Sequence, residues 1–93
     1  MRHIMKKVKV RQMEGNHGPV KNQFIIETEG GTYFQSYQSV IAFRPWGGKT
    51  QLDTNEWDYS RTTGKYRNMF LGESKAETEK KIRTGEYELV DLN

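Results

Sequence analysis

The sequence predicts an α+β domain: an antiparallel meander of four to five strands, then two short helices and a C-terminal strand or tail. Three observations carry this. Apolar and polar residues alternate through the first half of the chain, and paired glycines at Gly30-Gly31 and Gly47-Gly48 punctuate that half as hairpin turns. After Asp53 the apolar spacing changes from two to three and four, with serines standing where helices need caps.

From Met5 to Gln12, Val8 and Val10 alternate with Lys7, Lys9 and Arg11, which predicts a first strand with a buried valine face and a solvated basic face. The run Glu14-Gly15-Asn16-His17-Gly18-Pro19 is turn chemistry throughout and predicts a mobile loop. Val20 to Glu29 follows as a second strand, with Val20, Asn22, Phe24 and Ile26 on one face and Lys21, Gln23, Ile25 and Glu27 on the other. Gly30-Gly31 turns the chain into Thr32–Tyr37, and Ser39–Phe43 is a short apolar run expected to be a buried strand. Pro45-Trp46-Gly47-Gly48 then forms a second hairpin turn leading into Lys49–Leu52.

Ser60 is placed to cap a helix in which Tyr66, Met69 and Phe70 share a buried face and Arg61, Lys65 and Asn68 the opposite one, with Gly72 as its stop. Ser74-Lys75-Ala76-Glu77 reads as a capping box opening a second helix that runs to Thr84 and closes at Gly85. Glu77 with Lys81, and Glu79 with Arg83, stand in the favourable order for i, i+4 ion pairs on that helix. Tyr87, Leu89 and Leu92 suggest a last strand or an extended tail.

At 93 residues the chain is expected to form one domain over residues 1–93, with residues 1–6 as a disordered arm, and its eleven aromatic residues make a self-standing core credible. So small a core would be helped by self-association, and a homo-oligomer is among the expected states. Cysteine is absent, which excludes disulfides, thiolate metal sites and a cysteine nucleophile. The charges at the N-terminus are followed by no apolar run of seven residues, so a signal peptide is not supported, and no segment is apolar enough to span a membrane. A cytoplasmic location is the expectation.

The net charge of +3 is unevenly placed. Arg2, Lys6, Lys7, Lys9 and Arg11 supply five positive charges and no negative one lies among them, so subtracting five from +3 leaves residues 12–93 at −2. A nucleic-acid reading therefore rests on the first strand, joined by Arg61, Lys65 and Arg67 on the first helix. Lys7, Lys9 and Arg11 interleaved with Tyr33 and Tyr37 on another strand would supply the cations and stacking rings that such binding uses.

Other chemistry is thin. The histidines are His3, beside the terminus, and His17, within a glycine loop, and neither is placed where a preorganised acid or base is built. Asp53 to Asp58 holds three carboxylates, yet Trp57 occupies the third ligand position of a calcium loop and no glycine follows. Gly47-Gly48-Lys49-Thr50 ends like a phosphate loop, but Phe43 stands where that motif needs its first glycine. Ser60, Thr62 and Thr63 at a helix start, with Arg61 and Lys65 beside them, are a candidate anion or nucleotide site. No nucleophile and base can be paired, so an enzyme is not expected, nor a cofactor or metal.

The segments Tyr33-Phe34-Gln35-Ser36-Tyr37 and Trp57-Asp58-Tyr59-Ser60, the latter continuing through Thr62-Thr63-Gly64-Lys65-Tyr66-Arg67-Asn68 to Phe70-Leu71-Gly72, resemble small proteins encoded by tailed bacteriophages. The resemblance covers roughly residues 20 to 92 and carries no activity that transfers to particular residues. What it implies is a setting, the cytoplasm of an infected bacterium, where small viral proteins work by occupying a host machine, anti-CRISPR inhibitors among them. The leading expectation is thus an accessory protein that binds a host protein or nucleoprotein complex through Trp46, Trp57, Tyr59, Arg61 and Lys65, since tryptophan, tyrosine and arginine dominate interface energetics. Direct DNA or RNA binding through Lys6, Lys7, Lys9, Arg11, Arg61, Lys65 and Arg67 is the alternative, and a nucleotide sponge is the second.

Overall fold

The computed structural model describes residues 8–93. Strands β1 (Lys9–Gly15), β2 (Gly18–Thr28), β3 (Gly31–Ser36), β4 (Ser39–Pro45) and β5 (Gln51–Asp53) form an antiparallel meander. Helices α1 (Arg61–Leu71) and α2 (Lys75–Thr84) follow, and β6 (Glu88–Val90) returns parallel to β5, giving the sheet order β1-β2-β3-β4-β5-β6. A parallel neighbour requires a crossover, which the two helices supply. The fold is α+β, as the change of period after Asp53 predicts.

The turns follow residue chemistry closely. Gly15 pairs with Gly18 across Asn16-His17, so the stretch expected as a mobile loop is a two-residue hairpin, opened by glycine at positive φ (+105° at Gly18). The next turn is Glu29-Gly30, with Gly31 already the first residue of β3. Gly31 has φ +149°, and a Cβ there would stand 2.2 Å from the Arg44 carbonyl oxygen, so only glycine lets β3 approach β4 at this point.

One face of the sheet carries the core. Ile25, Phe34, Ala42 and Leu52 form a continuous register row, all buried, and α1 packs over it, with Phe70 stacked against Phe34 at 5.7 Å between centroids. Met13, Ile41, Leu71 and Tyr87 complete the core, with Trp57, Tyr66, Phe70 and Ile82 packed against it.

The facing of β1 is the reverse of the expected one. Val8 and Val10 are exposed, and the buried residue is Met13, which shares the parity of Lys9 and Arg11. The irregularity at Met13 causes this: the Asn16-His17 turn sets Glu14 opposite Pro19, and the break between Glu14 and Gln12 then shifts the register, aligning Val10 with Ile26 and Arg11 with the core residue Ile25. The part of the expected strand over residues 5–7 lies outside the described residues.

Helix α1 is also rotated from its expected facing. Its buried residues are Thr63, Arg67 and Leu71, while Met69 is exposed and Tyr66 and Phe70 are half-buried. Polar Thr63 and charged Arg67 point inward because partners await them: Thr63 Oγ1 shares a 3.0 Å hydrogen bond with Ser36 Oγ, and Arg67 is held by the loop before the helix. Both expected caps are present, Ser60 accepting from the Thr63 amide and Gly72 closing the helix in the left-handed region.

The capping box of α2 is complete, with Ser74 and Glu77 bonded reciprocally. Glu77 is thereby turned back to the helix start, and Lys81 bonds Glu73 at 2.7 Å rather than forming the expected pair with Glu77. The Glu73 side chain is 5 % exposed and accepts from Thr78 Oγ1, Lys81 Nζ and Tyr87 Oη, tying the helix-helix corner to the approach of β6. No helix among the described residues is long and apolar enough to cross a membrane.

Candidate functional site

The N-terminus of α1 opens onto a cleft of about 860 Å³ at one end of the sheet. Its walls come from the β3–β4 turn (Tyr37, Gln38), from Asn22 on β2, and from Glu56, Tyr59, Ser60 and Thr62 before and within the first helical turn. The volume lies within the range of ligand clefts.

Two features of the backbone fix this cleft. Asn22 and Tyr37 are the non-glycine residues at positive φ among those described, at 66° and 57°, and both line it. They are joined directly, the Tyr37 amide donating to the Asn22 carbonyl at 2.7 Å. Asn22 sits in an irregular stretch of β2: Gln12 pairs with Phe24 but Glu14 with Pro19, so β2 carries extra residues opposite Met13 and bends there. Gln35 Nε2 donates to the Tyr37 carbonyl at 2.8 Å, closing the turn from the other side. Asparagine tolerates the left-handed region, whereas tyrosine there is strained by roughly 1 kcal/mol or more. The two hydrogen bonds outweigh that strain and hold the Tyr37 ring at the cleft mouth, half exposed.

Tyr59 stands on the opposing wall, 70 % exposed, in the loop whose shape Asp53 sets. Asp53 is buried and accepts from the amides of Asn55 (3.1 Å), Glu56 (2.8 Å) and Leu92 (2.8 Å). Burial raises its carboxyl, and these bonds together with that from Asn93 outweigh it, leaving the group below its ordinary range. Its oxygens are thus occupied with organising loop and C-terminal tail, the turn role that aspartate favours, and no cluster of three or more potential metal ligands occurs among the described residues.

The floor is a chain of hydroxyls. Ser60 Oγ bonds the Thr63 amide at 3.1 Å and its hydroxyl at 3.2 Å, and Thr63 in turn bonds Ser36 at 3.0 Å, pinning α1 to β3. Of the expected anion site, then, Ser60 is engaged as a cap and Thr63 is buried in structure; Thr62 remains exposed. The amides of Arg61 and Thr62, ahead of the first intrahelical bond, stay at the open helix end beside it.

The other expected site residues scatter. Trp46 is 73 % exposed, but it lies near the other end of α1, in a groove with Arg11, Arg44, Met69 and Phe70. Trp57 is not an exposed anchor: it packs on the core with the Arg67 guanidinium 5.1 Å from its ring centroid. Arg67, expected on a basic surface, is 1 % exposed; it donates to the Trp57 carbonyl (2.9 Å), Asp58 Oδ1 (3.1 Å) and Asn68 Oδ1 (2.9 Å). Arg61 and Lys65 are exposed, Lys65 lying 5.2 Å over the Tyr66 ring. Lys9 and Arg11 are exposed on the helix-bearing side of the sheet, with Arg11 3.4 Å from Glu27, whereas Tyr33 lies on the other side, so the expected interleaving of cations and rings does not form. Lys6 and Lys7 lie outside the described residues.

Asn22 and Glu56 were not expected at a binding site, and Tyr37, expected as a stacking ring beside Lys7, Lys9 and Arg11, stands at this cleft instead. The signal for Tyr37 was present, since Tyr37-Gln38 between two polar-apolar runs is a two-residue turn, though without glycine to mark it.

No curated protein and no solved structure matches the chain. One family model matches residues 7–86, most of the chain, and includes every residue of the cleft. The chain belongs to that family, a family of unknown function, DUF8033.

Proposed function

We propose that this protein is a non-catalytic protein-recognition module, of the kind with which a tailed phage occupies a host protein or nucleoprotein complex, and that its cleft between Tyr37 and Tyr59 receives a segment of the partner. The observation that carries the reading is the pair of exposed tyrosines facing one cleft from backbone that is hydrogen-bonded into place. Tyrosine presents a large, amphipathic surface and has few rotamers to lose, so rings fixed in this way bind with little ordering penalty. Between them the cleft offers a donor at the Thr62 amide, hydroxyls at Ser39 and Thr62, and an acceptor at Glu56, which suits the mixed donor and acceptor pattern of a polypeptide.

The test is an affinity capture from bacterial host lysate using the wild-type chain, the Tyr37→Ala/Tyr59→Ala variant and Trp46→Ala, with the captured protein then purified and titrated against all three. The reading predicts that the double variant weakens that binding by 100-fold or more, two interface tyrosines at about 1.4 kcal/mol or more each, while Trp46→Ala leaves it unchanged. Equal binding by the double variant in a folded state would refute the siting, and loss on Trp46→Ala would move it to the groove beside Arg44.

A further inference from the structure

Among the described residues the helices cover one face of the sheet and leave the other bare. The shortest dimension of the molecule is 20 Å, room for one sheet and one helical layer. On the bare side a register row crosses every strand, Val10–Ile26–Tyr33–Phe43–Gln51–Glu88. A second row beside it reads Gln12–Phe24–Gln35–Val40. Both alternate with the core row of Ile25 and Phe34, so they point away from α1.

The composition of these rows is unusual for a solvated face. Branched, aromatic and amide side chains fill them, and their one charge is Glu88 at the β6 edge, although 29 % of the chain is charged. We propose that this face packs against the same face of a second copy, forming a symmetric dimer in which two sheets make a four-layer α-β-β-α sandwich.

Three points select that occupant. Each copy carries net charge +3, so self-association requires a contact surface free of like charge, which these rows supply. Nucleic acid requires the opposite, cations and open ring faces; the rows hold no cation, and Tyr33 and Phe43 stack on one another at 4.2 Å with 19° between planes. The area also suffices. With strands about 4.8 Å apart and about 3.3 Å per residue, four strands of some seven residues and two of three span about 500 Å². Two copies bury about 1,000 Å², the lower bound for a specific interface.

Sedimentation equilibrium from about 1 to 500 µM tests this, with Tyr33→Lys at the centre of the face, Val10→Lys at its rim and the charge-preserving Lys80→Arg on exposed α2 as a control, each checked for folding by thermal melt. The expected result is a concentration-dependent shift from 10.9 kDa to twice that mass, tightened by added salt as the +3 charges are screened, unchanged by Lys80→Arg and weakened at least tenfold by either lysine. If Tyr33→Lys does not fold, Val10→Lys decides, because Val10 is 61 % exposed and its replacement disturbs no core contact. A monomer throughout the range overturns the proposal. So does a dimer that a folded lysine variant leaves intact, or a monomer whose face instead takes up a labelled oligonucleotide in a salt-sensitive way.

Discussion

Replacing Arg67 should unfold this protein more readily than replacing any other charged residue on α1. Its side chain is 1 % exposed and three hydrogen bonds leave its terminal nitrogens, to the Trp57 carbonyl, Asp58 and Asn68, with the Trp57 ring stacked over it. Removing one member of a buried ion pair costs about 3 to 5 kcal/mol. Asp58 tempers this, since its side chain is 35 % exposed and Lys75 holds it at 2.7 Å. Arg67→Ala is therefore expected near the low end, about 3 kcal/mol, a large share of the roughly 5 to 15 kcal/mol that holds a domain together. Arg67→Met keeps the volume and sheds the desolvation penalty of the guanidinium, whose Nε has no partner, and should lose only about 1 to 2 kcal/mol. Arg67→Lys should resemble alanine more than methionine, because one ammonium cannot reach the Trp57 carbonyl and Asn68 together. Urea denaturation at neutral pH measures all three. A loss below about 1 kcal/mol for Arg67→Ala would refute the argument and return the guanidinium to the surface, where a partner could use it.

Glu73→Gln should lower stability by about 2 kcal/mol at neutral pH through three weakened hydrogen bonds, all accepted by the carboxylate and that from Lys81 an ion pair. The same residue governs acid stability. Burial raises its carboxyl, and the bonds from Lys81, Thr78 and Tyr87 outweigh it, so the folded group sits below its ordinary 4.5. A depressed carboxylate stabilises above its unfolded pKa, so stability should fall as pH drops below about 4.5, and less steeply in Glu73→Gln when denaturation midpoints are compared from pH 6 to pH 3. Gln23 is fully buried with neither amide atom bonded, so Gln23→Met should raise stability by about 1 kcal/mol or more in the same melts; a loss would mean that the amide has a partner. Tyr37→Gly should leave thermal stability equal or higher by relieving the positive φ, while abolishing the contribution of the ring to binding; lowered stability would show that the ring, not the turn, holds the hairpin. Gly31→Ala should cost at least 2 kcal/mol, because its Cβ meets backbone at Arg44 and Pro45 that no rotamer can move.

The α+β class was legible because caps and turns are local signals. Ser60, Ser74, Gly72 and Gly85 each perform at a helix end the role their chemistry dictates, and the glycine pairs fall at reversals of the chain. Facing was less legible, since it depends on register. Val8 and Val10 alternate as a buried strand face would, yet the irregularity between Gln12 and Glu14 sets Val10 opposite Ile26 on the bare side of the sheet. The same limit applied to α1, where spacing favoured Tyr66, Met69 and Phe70 but Ser36 and the Trp57 carbonyl, distant in sequence, draw Thr63 and Arg67 inward. At the cleft, Tyr59, Ser60 and Thr62 were visible as residues of interest; their meeting with Tyr37 and Asn22 required the β2 irregularity, which no local motif announces.

The siting of recognition at the tyrosine cleft is open to a direct measurement. The purified, isotopically labelled chain would be panned against a random peptide display library, and backbone amide shifts would be followed on titration with the most enriched peptide. The account predicts shifts concentrated at Asn22, residues 36–39 and residues 56–63, lost in Tyr37→Ala/Tyr59→Ala. Shifts centred instead on Tyr33 and Phe43, or around Trp46 and Arg44, would contradict it.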